Sequence, residues 1–260
     1  MWTTIRYILI TALRDKLFIG LFAAILIAAS IALFLGSTAM VEQQQMTIAY
    51  IAGSARVILV VGLIVFICFH VRRAFENREV EVTLTRPISR EAYVFCYWLG
   101  FSVLSFLVVV PLSLLMALFL KVNMVGLFFW SLSLIAEVLL IGAFALSCGL
   151  ILQSAVTGVM VSFGFYIISR MMGFFTFMLQ QKTATNLTDW YWWTQRILET
   201  ISMVVPRLDM FAKTEWLIYG MDGSAGVWVW HNVPLFLLQA LIYVPLLLFM
   251  SIYDFRRRQF

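Results

Sequence analysis

Charge is what this sequence has least of. Of its 260 residues 12% are Asp, Glu, Lys or Arg, and it holds two histidines, three cysteines and five prolines. Soluble domains carry about a quarter charged residues. With 63% hydrophobic residues and a mean hydropathy of +0.98, the apolar side chains exceed what a water-surrounded core of this length can hide, so the solvent must be lipid. Cys68, Cys96 and Cys148 are too few for a disulfide framework and lack the spacing of a zinc site. No G-x-x-x-x-G-K-[ST] sequence is present to cradle ATP phosphates, and no G-x-S-x-G, H-E-x-x-H or pair of intramembrane aspartates to act on a peptide bond. His70 and His231 fall at opposite ends of their spans and cannot share a site. A catalytic reading therefore has no residues to stand on, and no cofactor or metal site is read in this chain.

What is present is a set of long apolar runs. Leu17 to Leu35 is free of charge for 19 residues, enough for a hydrocarbon core of about 30 Å. Further runs lie between about Tyr50 and Val71, from Ala92 to Leu120 (broken only by Pro111), from Val122 to Leu152 (one acid, Glu137), from Ser154 to Leu179 (one base, Arg170) and from Val233 to Tyr253. The expected fold is an all-α membrane protein, one domain over 1–260, with six spans at about 17–37, 50–71, 92–120, 124–152, 154–180 and 232–253. Continuous runs rather than short alternations argue for helices over barrel strands. Arg56, near one end of the second run, is expected to snorkel to the interface. Pro234 and Pro245 are expected to kink the last span.

The net charge of +5 sits in clusters between the runs, the pattern of the positive-inside rule rather than of a nucleic-acid footprint. Arg6, Arg14, Lys16, Arg72, Arg73, Arg78, Arg86, Arg90, Arg256, Arg257 and Arg258 lie on one side; Arg56, Lys121, Lys182, Arg196, Arg207 and Lys213 lie on the other, in longer loops. The first side is expected to be cytoplasmic, with both termini there and the chain in a bacterial inner membrane. All three cysteines then fall in the half of the membrane facing the reducing compartment.

Residues 2–16 read as an interfacial helix: Trp2, Ile5, Leu9, Ala12 and Leu13 share one face, and Arg6, Arg14, Asp15 and Lys16 supply polar positions. A plain extension of the first span is the alternative. The first apolar run is too long for the core of a cleaved signal. The connection from about Gln180 to His231 is crowded with Trp190, Trp192, Trp193, Trp216, Trp228 and Trp230, rings that favour the headgroup level. Short helices dipping into the outer leaflet are expected there, a small folded cap in water being the other possibility.

The connection Arg72 to Arg90 carries most of the functional signal. Arg72 and Glu76 stand at i,i+4, Phe75, Val80, Val82 and Leu84 give apolar positions that a short loop cannot bury, Pro87 ends any helix near Thr85, and Ser89 is placed to cap a span starting at Arg90. A short amphipathic helix between two spans suits docking on a soluble partner; resting on lipid is the alternative. Glu79, Thr83, Leu84, Pro87, Ile88, Ser89 and Arg90 resemble the loop before the third span of ABC-2-type transporter permeases, including the permease of the nitrous oxide reductase maturation system. Pro206, Leu208, Asp209 and Phe211 resemble that family's outer Pro-x-Leu-Asp-x-Phe stretch. Val82 and Cys96–Tyr97 depart from the family pattern, so the resemblance does not name a substrate.

The resemblance implies a transport subunit, with export the expected direction. It would be one of two copies, paired with separate cytoplasmic ATPase subunits that hold the ATP and magnesium. It also implies that Arg72, Phe75, Glu76, Glu79, Val80, Thr83 and Leu84 contact the ATPase, while Pro87, Ser89 and Arg90 turn the chain into the third span.

One feature needs no family. Glu137 lies 17 positions before Ser154 and Arg170 lies 16 after it, so in an antiparallel hairpin turning at Ser154 they reach similar depth. A lone charge at that depth is costly, and an ion pair or shared polar network is expected, lining a substrate path or latching the bundle. On this feature rests the main alternative, a stand-alone secondary transporter or channel; a membrane scaffold for an assembly complex is a third reading. Ser154, Gly158 and Ser162 form a small-residue stripe, expected to be a seam within the chain rather than between copies.

Overall fold

The computed structural model describes residues 2–14, 16–37, 42–80, 89–120, 122–180, 192–193, 196–197, 200–201, 205–211, 213–219 and 224–257. The secondary structure of these residues is helical, without strands. Six helices are long and apolar enough to cross a membrane, which makes the chain a multi-pass membrane protein.

The helices follow the apolar runs because lipid offers the backbone no partner, and a helix satisfies every N–H and C=O within itself. In chain order they are α1 (Trp2–Arg14), α2 (Leu17–Ser37), α3 (Gln43–Glu76), α4 (Arg90–Phe119), α5 (Met124–Ile151), α6 (Ala155–Gln180), α7 (Glu215–Tyr219) and α8 (Ser224–Arg257), with a 3-10 turn at Leu208–Phe211. Local chemistry sets several ends. The Ser89 hydroxyl accepts from the Ala92 N–H and caps α4, and the Asn123 side chain accepts from Val125 and Gly126 at the start of α5. Pro111 in α4 and Pro234 and Pro245 in α8 lie inside helices that run on through them.

The second span is longer than its apolar run suggests. α3 begins at Gln43, seven residues before the expected Tyr50, and continues to Glu76. At about 1.5 Å per residue its 34 residues make a rod of about 51 Å, well beyond a core of about 30 Å. It closes at Asn77, whose N–H bonds to Arg73 O, and the chain leaves through Arg78 with φ 55°. Arg72 and Glu76 are therefore the last turns of the second span itself, not part of a separate loop helix.

α5 is the centre of the bundle, packed by α3, α4, α6, α7 and α8. Its small residues allow this. Ser147 shares a hydrogen bond with Ser251 of α8 at 2.5 Å, and Gly149 meets Val71 of α3. Gly158 of α6 faces Cys68, whose Sγ would stand 3.4 Å from a Cβ at that position, so the small-residue stripe there is a seam within the chain. α1 folds back on α4, where Ile8 covers Gly100. The buried face of α1 runs through Ile8 and Ala12, with Leu9 half-buried; Leu13, expected on that face, is 60% exposed. The side chains of Trp2 and Ile5 lie outside the described residues.

The segment before α8 packs onto the bundle. Leu208, Phe211, Trp216 and Leu217 are buried, and Gly126 is a close-approach glycine that lets the Trp216 carbonyl sit directly on α5. The Trp216 ring is thus a packing element rather than a headgroup anchor; Trp193, in contrast, is 60% exposed. Trp190 and the side chains of Trp228 and Trp230 lie outside the described residues.

Outward-facing residues complete the lipid reading: Phe34, Leu118, Phe119, Leu241 and Phe249 are each at least 70% exposed. Water would oppose such a surface, whereas hydrocarbon accommodates it.

Candidate functional site

Three charged side chains meet at the middle of the bundle. Glu137 stands on α5, and its two carboxylate oxygens are taken by different arginines: Oε2 by Arg56 Nη1 of α3 at 2.5 Å, and Oε1 by Arg170 Nη1 of α6 at 3.2 Å. Arg56 and Glu137 are fully buried, while the Arg170 side chain keeps 27% of its surface. Arg56 Nη2 also donates to the Ser133 hydroxyl at 2.9 Å and the Trp130 carbonyl at 3.3 Å, and its guanidinium carbon lies 5.1 Å from the Trp130 ring centre.

The structure thus brings Glu137 and Arg170 together at matched depth and adds a third member. Arg56 does not snorkel. Since α3 starts at Gln43, Arg56 lies 56 − 43 = 13 residues into its helix, and Glu137 lies 137 − 124 = 13 residues into the parallel helix α5. Each is about 20 Å from that end, so the two heads meet at one level, and the Arg56 head is fully buried there. Taking these charges out of water costs several kcal/mol per ion, repaid only by close pairing and further hydrogen bonds. The Ser133 hydroxyl and the Trp130 carbonyl supply some of those bonds.

A second concentration of polar groups lies at the end holding the expected cytoplasmic residues. Arg72 Nε donates to Glu76 at 3.0 Å along α3. A cleft of about 450 Å³ separates Phe69, Arg72, Arg73 and Glu76 from Gln153, Ser154, Ala155 and Val156 at the α5–α6 turn. The Tyr7 hydroxyl of α1 donates to both carboxylate oxygens of Glu79, at 3.0 and 3.1 Å. Partial burial, together with this bond to a carboxylate, holds the Tyr7 phenol above its ordinary pKa. Arg90 Nη1 donates to the Phe255 and Arg256 carbonyls, and Arg256 pairs with Glu91, tying the start of α4 to the end of α8. His70 is buried among the rings of Tyr7, Phe66, Tyr97 and Phe101.

The expected partner-facing residues divide. Glu76 is exposed, and Arg72, Phe75 and Glu79 are half-exposed. Val80 is 1% exposed and belongs to the core, because the chain turns inward once Glu79 is held by Tyr7; its side chain is not available to a partner. Thr83, Leu84 and Pro87 lie outside the described residues. Ser89 and Arg90 stand at the entry to α4 as caps and ties.

The stretch 206–211 comes close to the Arg56–Glu137–Arg170 cluster. Asp209 packs against Gly173, one turn from Arg170 on α6, and is paired with Arg207 at 3.0 Å. The sequence pattern linked this stretch to a family motif but not to the charge cluster; the approach of Asp209 to Gly173 is a tertiary contact.

No family model matches the chain, and no curated protein matches it in sequence.

Proposed function

We propose that this chain is the membrane-embedded permease subunit of an ATP-driven transporter of ABC-2 type, working as a homodimer with a separate cytoplasmic ATPase. Export is the proposed direction of transport. Since no family model or curated protein matches, the reading rests on the loop pattern Glu79–Arg90 together with the architecture around it. The observation that carries it is the build of the basic end. A span helix overshoots the hydrocarbon core by several turns, ends in the exposed Glu76 and half-exposed Arg72 and Phe75, and leads into a segment whose first carboxylate is clamped by α1. A rigid rod joining such a surface to the central charge cluster is a means of passing a push from a soluble subunit into the bundle.

On this reading the chain hydrolyses nothing, and energy enters through Arg72, Phe75, Glu76, Glu79, Thr83 and Leu84. Co-purification with a P-loop ATPase, and ATPase activity that responds to transported substrate, tests it. The double variant Glu79→Ala/Leu84→Ala should keep the spans folded and the ATPase bound weakly or not at all, with hydrolysis no longer coupled to transport. Full coupled activity in that variant rejects the docking assignment.

The Arg56–Glu137–Arg170 cluster favours a second reading, a stand-alone carrier or channel. Buried ionisable groups within spans mark ion or substrate pathways by default. Transport by the purified chain alone, in liposomes without any ATPase, would decide for it.

A further inference from the structure

The charges at the membrane centre do not balance. Arg56, Glu137 and Arg170 sum to +1. The nearby Asp209 does not cancel this, because Arg207 already pairs with it. Arg56 is closed off: it is fully buried on Glu137, Ser133 and Trp130, and its Nε, which has no hydrogen-bond partner among the described residues, is buried as well. Arg170 is not. One Nη1 bond to Glu137 is its sole hydrogen bond among the described residues, while a guanidinium carries five N–H donors.

Its depth makes the surplus consequential. α6 has 26 residues, so its middle falls between residues 167 and 168, and Arg170 lies within about 4 Å of that plane. The distance to either edge of the core, about 15 Å, exceeds the reach of a single side chain. A guanidinium on a side chain 27% exposed at this level cannot face hydrocarbon at low cost. Around its open side α6 presents Ile167, Met171 and Phe174, each about half exposed, an apolar wall with Arg170 at its edge; the Asp209 carboxylate, one turn on at Gly173, is taken by Arg207.

We propose that Arg170 is the charged point of an anion site at the centre of the membrane, open to water along the exposed face of α6. Its ligand would be an oxyanion group (carboxylate, sulfonate or phosphate) on a molecule whose apolar part lies along Ile167, Met171 and Phe174. Guanidinium geometry suits two parallel bonds to such a group. Glu137 holds Arg170 from behind and so aims the remaining donors outward, and Arg56 fixes the other oxygen of that carboxylate. The site needs no ATPase to exist. Only its use for cargo rests on the transport reading, so the two fail separately.

The test is charge-selective labelling in native membrane vesicles. The full chain carries Ile167→Cys or Phe174→Cys, with Cys68, Cys96 and Cys148 replaced by alanine. The probes are a sulfonatoethyl and a trimethylammonioethyl methanethiosulfonate, of opposite charge and similar size. With Arg170 present the anionic reagent should label at least about tenfold faster relative to its rate on free thiol than the cationic one does, as one unit charge a helical turn away in a low-dielectric wall dictates. Arg170→Gln should bring that ratio to about one, and Arg170→Lys should keep it. No labelling at either position, from either side of the membrane, means that lipid or a second copy covers the face and overturns the site. So does a preference that survives Arg170→Gln. Each variant is read by labelling against its own folded, membrane-inserted fraction, so a poorly folding variant cannot imitate either result.

Discussion

Replacing Glu137 by glutamine removes the single negative charge that two arginines share. Arg56 then stands fully buried with only the Ser133 hydroxyl and the Trp130 carbonyl as hydrogen-bond acceptors, and two like charges face each other across a space built for a carboxylate. Breaking a buried pair by removing one partner costs about 3–5 kcal/mol. With about 2–4 °C of Tm per kcal/mol for a chain of this size, Glu137→Gln should lower Tm by about 6–20 °C. Arg56→Met should cost less, about 1–3 kcal/mol for the bonds lost, because Glu137 keeps Arg170. Arg170→Gln should cost least: its side chain is partly exposed, so its pairing energy is discounted by screening, and Glu137 keeps Arg56. Combining Arg56→Met, Glu137→Met and Arg170→Met should be milder than Glu137→Gln alone, since no lone charge is left in the core. Thermal denaturation followed by size-exclusion chromatography in a mild detergent gives the order directly. A Glu137→Gln protein within a few degrees of the parent, or one more stable than Arg56→Met, would refute the shared-carboxylate geometry.

Two further outcomes follow from other parts of the molecule. Gly126→Ala places a methyl group against the Trp216 carbonyl, a backbone atom that cannot swing aside; it should cost about 1–3 kcal/mol, read as a lower Tm, whereas Gly53→Ala, which meets open space, should be close to neutral. The Tyr7 phenol is held above its ordinary value of about 10, first by burial and then by Glu79; a raised native pKa gives stability that is complete below the unfolded value and is lost as pH climbs through the native one. Alkaline denaturation should therefore steepen above pH about 10 in the parent chain and less so in Tyr7→Phe, with phenolate absorbance reporting one fewer late-titrating tyrosine.

The spans were legible because the forces that make them act locally in sequence. A run of about twenty apolar residues has one way to satisfy its backbone in lipid, so hydropathy and length place α2 and α4 to α6 within a few residues of their observed bounds. The pairing of Glu137 with Arg170 was legible by counting, since a tight antiparallel hairpin converts sequence distance from its turn into depth. Arg56 was misread because α3 starts in the polar run Gln43–Gln45, where hydropathy falls although helix continues. Taking Tyr50 as the start put Arg56 near an edge; taking Gln43 puts it at the depth of Glu137. Hydropathy marks where lipid begins, not where a helix begins, and the difference is greatest for helices that project beyond the core.

Val80 and Leu13 show a second limit. Both are apolar residues whose sequence spacing fits an outer or inner face equally well, and what decided between them was contact between α1 and the rest of the chain: Ile8 on Gly100, and Tyr7 on Glu79. Such contacts join residues 72 positions apart or more, and no local period encodes them. The same is true of the charge imbalance at the centre. Sequence can count the arginines and the glutamate in the spans, but only their convergence shows that one carboxylate serves two guanidiniums and that Arg170 is the one whose side chain stays partly exposed. A bundle that needed nothing but stability would be served by one arginine and one glutamate, or better by neither, since well-packed apolar residues of similar volume often hold a core as firmly as a buried pair. Keeping a surplus cation at mid-membrane is a cost that packing does not explain and that an anionic ligand would.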